Sequence, residues 1–272
     1  MSYPTGSKQR NLTELDIVYD NKNDKNFNVF IGVDRKMESK STFIVLKVSK
    51  EKKAISPKKM EKYNEAMEGM LENKPNVVRG TLLKGVTRRY VCHGIRKNMK
   101  DRKVGVYKYK PGVDKTTQNN ITEDIDDLVG DIESRAIEAM KAANLDKTAG
   151  CDSFVKAQEE FGITSMNEKG RATQMALAKA YCLPAHTDKD FYYTVLSVHN
   201  EHAEPDEVLY HFCFPTYGFA VPMTKGDIIM FNPLIAHCAT NPRTKTALIY
   251  SLYVSNKTCN TIVANVMDDI EK

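Results

Sequence analysis

The segment from about residue 171 to 255 most constrains what this chain can fold into. Its apolar residues occur in short runs that are divided by turn residues, and they show little helical periodicity. Short β-rich runs at this spacing are typical of an antiparallel sandwich or barrel. We therefore predict an all-β core in this part of the 272-residue chain, which is long enough for one large domain or two modest ones.

The residues before this core combine strand and helix patterns. Residues 27–33 and 41–48 are β-rich runs, and residues 76–110 predict strands around a basic turn. A helix is expected from Pro57 to Pro75, with Ser56 as its N-cap. Helical spacing of apolar residues also starts near Thr122, and a short helix is expected within residues 152–162. The sequence thus predicts an α+β protein.

The charges are distributed unevenly along the chain. Residues 1–120 contain 27 Lys+Arg and 13 Asp+Glu, a net charge of +14, although the whole chain carries only +5. Within residues 84–110 there are ten basic residues and one acidic residue, interleaved with Tyr90, Tyr107 and Tyr109. Basic side chains bind phosphates and aromatic rings stack on bases, so this segment predicts DNA or RNA as a partner. A solvated hairpin would have a similar composition, and this alternative stays open.

Targeting and cysteine patterns give an expectation for the location of the protein. No stretch is apolar enough for a membrane span, and the first residues lack the apolar core of a signal peptide. The six cysteines lie far apart and none forms a CxxC pair, which favours reduced thiols over a zinc module or a disulfide framework. We expect a cytoplasmic or nuclear protein without a membrane partner.

A histidine and an aspartate lie two residues apart in "HTD", His186 to Asp188, just before an aromatic and β-branched run. Downstream, "GDIIMF" (226–231) predicts a turn and a buried strand, and His237 follows on the next strand. Two imidazoles and one carboxylate can hold Fe(II) on one face and leave the opposite face open. The pair alone is a weak motif, and the three residues together make a metal site the better hypothesis.

These residues resemble the Fe(II)/2-oxoglutarate-dependent dioxygenases over about residues 171–256, and "HCATNPRTKTALIYSLY" is similar to the TET/J-binding-protein branch. The resemblance implies a double-stranded β-helix, or jelly roll, with His186, Asp188 and His237 as both the iron ligands and the catalytic residues. It implies oxidation of a C–H bond by O₂, with 2-oxoglutarate as co-substrate and ascorbate as an additional reductant. A nucleic-acid base is the first substrate expectation, and a protein side chain or a small molecule is the second.

The cation that binds the far carboxylate of 2-oxoglutarate is less clearly marked. Many family members place an Arg or Lys about ten residues after the distal histidine, often as Arg-x-Ser. This chain instead offers Arg243 and Lys245, and no Arg-x-Ser follows. We favour Lys245, because it lies at the start of the last strand, with Arg243 as the alternative. If neither cation reaches the site, 2-oxoglutarate is in doubt while iron is not.

The charge and element patterns, together with this resemblance, suggest how the chain is organised. We predict a basic α+β region (1–120) that packs on the core, a helical support (121–170), the double-stranded β-helix (171–258) that the resemblance implies, and a C-terminal tail (259–272). One alternative is a non-catalytic jelly-roll protein that binds nucleic acid. Another is a cupin-like metal site, for which the histidines would be His199, His202 and His211.

Overall fold

A computed structural model gives the architecture of the chain. It describes residues 16–17, 27–28, 32–33, 45–48, 55–78, 89–97, 103–142, 156, 158–240 and 242–270. The helices are α1 (Pro57–Asn73), α2 (Lys115–Ala142) and α3 (Asn256–Ile270), with a 3-10 turn at Pro215–Tyr217. The first seven strands are β1 (Asp16–Ile17), β2 (Phe27–Asn28), β3 (Gly32–Val33), β4 (Val45–Val48), β5 (Val77–Val78), β6 (Arg89–Lys97) and β7 (Val104–Val106). The remaining strands are β8 (Gln174–Lys179), β9 (Leu183–His186), β10 (Asp190–His199), β11 (Val208–Phe214), β12 (Phe219–Thr224), β13 (Ile228–Phe231), β14 (His237–Ala239) and β15 (Leu248–Ser255).

The strands form two main sheets in which every pair is antiparallel. The large sheet has the order β2-β4-β13-β10-β15-β8-β6-β5, and β7 pairs with β6. The small sheet has the order β12-β11-β14-β9, while β1 and β3 form a separate pair. The centre of the large sheet therefore comes from residues 174–255, and strands from the first half of the chain extend both of its sides. The predicted α+β class is confirmed.

The two faces of the large sheet bury different cores, as the side-chain alternation of β15 shows. Leu248 and Leu252 pack with α1 and α2, in a core that includes Met67 and Leu128. Ile249, which points to the opposite face, packs with residues of the small sheet. Successive side chains of a strand point to opposite faces, so one strand serves both cores. The helices thus cover one face, and the small sheet covers the other.

Helix α1 forms where its sequence predicts it. Pro57 occupies the first helical position, and the Ser56 hydroxyl accepts a hydrogen bond from the Lys59 amide at 3.3 Å. Helix α2 begins at Lys115, well before the predicted start near Thr122, because Asp114 caps it. The Asp114 carboxylate accepts hydrogen bonds from the Thr117 amide at 2.9 Å and from the Thr117 hydroxyl at 2.7 Å. The first two turns of α2 are polar, so apolar spacing could not indicate them.

The remaining predicted segments are described only in part. Within 152–162, residues 156 and 158–160 are helical and Gly162 follows with φ +61°, whereas Asp152 lies outside the described residues. Residues 29–31 and 41–44 of the predicted strands and the turn at 98–102 also lie outside them. Helix α3 occupies most of the predicted C-terminal tail. The Thr258 hydroxyl ties α3 to the large sheet, because it accepts from the Lys97 amide at 3.3 Å and from Gln174 Nε2 at 2.9 Å. Among the described helices, none combines the length and the apolar character needed to cross a bilayer.

Candidate metal centre

The small sheet brings the two predicted histidine ligands together. His186 ends β9 and His237 begins β14, and the two residues are cross-strand partners in the antiparallel pairing of these strands. Asp188 follows β9, and its amide donates to the Pro233 carbonyl at 2.9 Å, which ties this short loop to the turn before β14. The three side chains therefore come from two neighbouring strands and one anchored loop.

The three side chains converge on one point. One carboxylate oxygen, Asp188 Oδ2, lies 3.3 Å from His186 Nε2 and 3.6 Å from His237 Nε2. The potential ligand atoms of all three residues lie within 4.8 Å of one another. Among the residues that the structure describes, no other group of three or more His, Cys, Asp or Glu side chains meets this criterion. The arrangement can hold one metal ion through two nitrogens and one oxygen.

Both imidazoles are oriented by the backbone of their own strand segment. His186 Nδ1 lies 2.8 Å from the Pro184 carbonyl oxygen, and His237 Nδ1 lies 2.8 Å from the Ile235 carbonyl oxygen. A carbonyl oxygen only accepts hydrogen bonds, so each Nδ1 carries the proton and donates it. Both Nε2 atoms are consequently the ones directed toward Asp188. Metal-binding histidines commonly donate their second N–H to such a group.

The environment of the centre is asymmetric. His237 is buried, with its ring stacked on Phe212 at a centroid distance of 5.6 Å and packed against Phe231 at 4.7 Å. The side chains of His186 and Asp188 are 25% and 31% exposed. One side of the centre is therefore closed by aromatic rings, and the other side is accessible to solvent and small molecules.

The carboxylate of Asp188 is held in its ionised form. Burial acts to raise the pKa of Asp188, but in the metal-free centre the hydrogen bonds from His186 and His237, and the positive charge of these rings in their protonated form, outweigh it. The net effect is a pKa well below the usual range of an aspartate. An ionised carboxylate is the form that binds a cation.

A cavity of about 420 Å³ between the two sheets contains the centre. Besides the three converging residues, its lining has aliphatic and aromatic side chains and a set of hydroxyl groups from Tyr90, Thr194, Ser251 and Tyr253. Thr194 is buried, and its hydroxyl oxygen has no hydrogen-bond partner in the structure. Ser251 and Tyr253 share the cavity-facing side of β15 with Ile249. The sequence analysis missed these hydroxyl groups, although their spacing of two along a strand is a signal for a common face.

The two predicted co-substrate cations lie elsewhere. The side chains of Lys245 and Arg243 are exposed, and neither residue lines the cavity. The Arg243 amide donates to the Leu209 carbonyl at 3.3 Å, which fixes the backbone of this turn. No lysine or arginine is among the described residues that line the cavity. The assignment of either cation to 2-oxoglutarate stays a prediction.

The other histidines do not form a second centre in the described part of the chain. His199 is buried and its Nε2 has no hydrogen-bond partner, whereas His202 is exposed and His211 is partly buried on β11. Burial, followed by the positive charge of Lys225, lowers the pKa of His199 to about 4. A neutral buried histidine on β10 fits a role in packing. The geometry gives no support to the cupin-like alternative.

The tyrosines of the basic segment 84–110 are used inside the fold. The Tyr107 ring lies under the Arg96 guanidinium at 5.2 Å, and the Tyr109 ring lies under the Lys74 ammonium at 3.9 Å. Tyr90 instead lines the metal-centre cavity, where its ring meets that of Tyr181 edge to face at 6.2 Å. Residues 79–88 and 98–102 lie outside the described part of the chain. The described tyrosines thus do not form the predicted stacking surface, and nucleic-acid binding through 84–110 stays a prediction.

Comparison with known proteins reveals similarity of fold. No protein-family model matches the chain, and no curated protein matches it in sequence. The structure of NgTET1 in complex with 5mC DNA is similar, with a TM-score of 0.53 and 10% identity over 80% of this chain and 74% of that chain. A dioxygenase for auxin oxidation in rice has a TM-score of 0.38 and 11% identity, covering 79% of this chain and 74% of that one. AviO1 from Streptomyces viridochromogenes Tue57 has a TM-score of 0.36 and 12% identity, with 80% and 93% covered. The resemblance predicted from the sequence is confirmed at the level of the fold.

Proposed function

We propose that this chain is a non-haem Fe(II)- and 2-oxoglutarate-dependent oxygenase that hydroxylates a C–H bond, and that its facing sheets are a double-stranded β-helix. The observation that carries this proposal is the convergence of His186, Asp188 and His237 in one cavity. The fold shared with NgTET1 supports the same superfamily.

The donor set fits Fe(II). Two neutral imidazole nitrogens and one hard carboxylate are the ligands of the facial triad used by iron oxygenases. Both Nδ1 atoms are engaged with carbonyl oxygens, so each ring offers Nε2 alone. The ion, when bound, would supply the redox chemistry that activates O₂. His186, Asp188 and His237 would hold it from one side, and Phe212 and Phe231 would keep water away from the buried face of His237.

The fit of 2-oxoglutarate is incomplete. Its far carboxylate needs a positive charge or several hydrogen-bond donors, and no lysine or arginine is among the described lining residues. Two sets of side chains could bind this carboxylate. Lys245 would have to turn inward from its exposed position, or the hydroxyl groups of Thr194, Ser251 and Tyr253 would have to donate instead.

We propose a nucleic-acid base as the substrate. The cavity is large enough for a single base, and the rings of Tyr90 and Tyr181 provide an aromatic wall. The +14 charge of residues 1–120 would attract a polyanion. NgTET1, which shares the fold, was determined in complex with 5mC DNA. An enzyme that acts on a base inside such a cavity must take the base out of its stack.

The test of the oxygenase is an anaerobic Fe(II) titration, followed by addition of 2-oxoglutarate and O₂. We expect one iron per chain and release of succinate. Asp188→Ala should abolish both, whereas Asp127→Ala, on an exposed position of α2, should leave both unchanged. A chain that binds no iron and releases no succinate would contradict the proposal and favour the non-catalytic nucleic-acid-binding alternative. Succinate release that is unchanged by Asp188→Ala would contradict the assignment of Asp188 as an iron ligand.

Two further measurements separate the finer parts of the proposal. The affinity for 2-oxoglutarate, measured for Lys245→Met, Arg243→Met and Ser251→Ala, identifies the side chain that holds the far carboxylate. For the substrate, methylated DNA and RNA are incubated with the iron-loaded protein, 2-oxoglutarate and O₂, and are analysed by mass spectrometry for the gain of one oxygen atom on a base. Succinate release without any modified base would retain the oxygenase and remove nucleic acid as its substrate, leaving a protein side chain or a small molecule.

A further inference from the structure

A second cavity, of about 650 Å³, lies on the other side of strand β6. Tyr90 of β6 lines the metal-centre cavity, whereas His93 of the same strand lines the second one. Residues three apart on a strand point to opposite faces, so the two cavities are separated by the sheet. The second cavity is bordered by the end of α1, the start of α2 and the segment 107–109.

The most unusual group in this cavity is Lys74, which is only 1% exposed. Its ammonium donates one hydrogen bond, to the Tyr107 carbonyl at 3.1 Å, and lies 3.9 Å from the centre of the Tyr109 ring. Among the described residues, no carboxylate forms an ion pair with it. Buried lysines are rare unless they are paired, because removing an ammonium group from water is costly. Burial lowers the pKa of Lys74 to about 8.

The position of Lys74 after α1 does not explain its burial. A lysine at a helix C-terminus can interact with the last carbonyl groups, and that role needs no buried side chain. In this chain Lys110 fulfils it: its ammonium donates to the Glu72 carbonyl, and its amide donates to the Asn73 carbonyl at 2.8 Å. The Lys74 ammonium is instead directed at the segment that borders the cavity.

Two side chains of the same cavity each have a polar atom without a hydrogen-bond partner among the described residues. Thr173 is fully buried, and its hydroxyl oxygen has no hydrogen-bond partner. His93 is 7% exposed, and its Nδ1 also has no partner, whereas its Nε2 lies 3.1 Å from Asp126 Oδ1. Buried polar groups are nearly always hydrogen-bonded, and each unpaired one costs about 1–3 kcal/mol. Two unpartnered polar atoms beside the buried ammonium group of Lys74 indicate a missing ligand better than independent defects would.

We propose that this cavity binds a small oxyanion, namely the carboxylate or phosphate group of a small molecule, through Lys74 and Thr173. The ammonium has donors to spare, and the threonine hydroxyl can donate as well. The only acidic residue of the described lining, Asp126, is already paired with His93, while Lys108 and Lys115 add positive charge. The rings of Tyr107 and Tyr109 would contact the rest of the ligand. This site does not depend on the proposed oxygenase activity.

The test uses the full chain in metal-free form, with the Asp188→Ala variant as the background. Inorganic phosphate and acetate are titrated separately, and binding is followed by calorimetry and by NMR of isotope-labelled lysine side chains. We expect saturable binding of at least one of the two anions and a shift of the Lys74 signal. Because Asp188→Ala removes a ligand of the metal centre, binding in this background does not require a bound metal, and the shift of the Lys74 signal assigns it to the second cavity. Comparing the two anions distinguishes a phosphate ligand from a carboxylate ligand.

Matched variants assign the binding to named side chains. Lys74→Met should weaken the binding of the preferred anion about tenfold or more, since hydrogen bonds to charged groups are the strong ones. Thr173→Val should weaken it about threefold or more. Lys62→Met, which removes an exposed lysine paired with Asp124, should leave it unchanged. The proposal is overturned if neither anion shifts the Lys74 signal, or if Lys74→Met binds the anion as tightly as its parent does. The NMR titration and Thr173→Val keep the test decisive even if Lys74→Met does not fold.

Discussion

The buried carboxyl of Glu133 predicts a specific dependence of stability on pH. Glu133 lies on α2, is 6% exposed, and accepts hydrogen bonds from the amides of Arg171 and Ala172 at 2.8–3.1 Å. Burial raises its pKa from 4.5 to about 7, even though these backbone hydrogen bonds act to lower it. The segment that it anchors leads directly into β8, which lines the metal-centre cavity.

The magnitude follows from linkage. A carboxyl whose pKa is higher in the folded state binds its proton more tightly there, so its contribution to stability is complete below pH 4.5. That contribution is lost as the pH rises toward 7. One pKa unit corresponds to about 1.4 kcal/mol, so the loss is about 3 kcal/mol between these two pH values. Above pH 7 the contribution of Glu133 should no longer change.

The assay is urea unfolding at a series of pH values between 4.5 and 8, comparing the parent chain with Glu133→Gln. Glutamine keeps one oxygen acceptor for the two amides and cannot titrate. We expect the free energy of unfolding of the parent to fall by about 3 kcal/mol more than that of Glu133→Gln over this range. Other titrating groups act on both proteins and cancel in the difference. Parallel pH profiles for the two proteins would refute the reasoning.

Three further predictions concern the metal centre and the neighbouring sheet. Fe(II) or Mn(II) at about a hundredfold excess over its Kd should stabilise the chain by about 2.7 kcal/mol in anaerobic thermal unfolding. Asp188→Ala should remove this stabilisation. Equal stabilisation of the parent and the variant would contradict the assigned ligands. Thr194→Val should raise the free energy of unfolding by about 1 kcal/mol, because it removes an unpartnered buried hydroxyl. If that hydroxyl serves the co-substrate, the same change should weaken 2-oxoglutarate binding in a calorimetric titration. Gly94→Ala should destabilise the chain by more than about 2 kcal/mol in urea unfolding. Gly94 has φ +93°, and a Cβ there would lie 2.2 Å from the Thr173 carbonyl oxygen. An unchanged urea midpoint of unfolding would show that this backbone adapts.

Local signals were sufficient for part of this structure. Ser56 and Pro57 mark the start of α1 because capping depends only on residues adjacent in sequence. The converging residues were also predictable, since the short "HTD" motif and a later histidine on a strand are readable without tertiary information. Their roles as iron ligands stay proposals until a metal is bound.

Other features depend on contacts between distant parts of the chain. The hydroxyl groups of Thr194 and Ser251 meet in one cavity because β10 pairs with β15, and no local pattern specifies that pairing. The second cavity joins Lys74 and Thr173 in the same way, from segments a hundred residues apart in sequence. The prediction of Lys245 or Arg243 as the co-substrate cation rests on spacing after His237 and on position at the start of a strand, and neither specifies which way a side chain will point.

Each of the two imidazoles, His186 and His237, is oriented by a hydrogen bond from its Nδ1 to the backbone carbonyl two residues earlier in the chain. Every amino acid has this backbone carbonyl, whatever its side chain. Substitutions at Pro184 or Ile235 therefore leave the acceptor in place. The orientation of the two rings therefore does not depend on which side chains line the rest of the cavity. A laboratory selection could therefore remodel the cavity for a new molecule without changing how the rings of His186 and His237 are oriented.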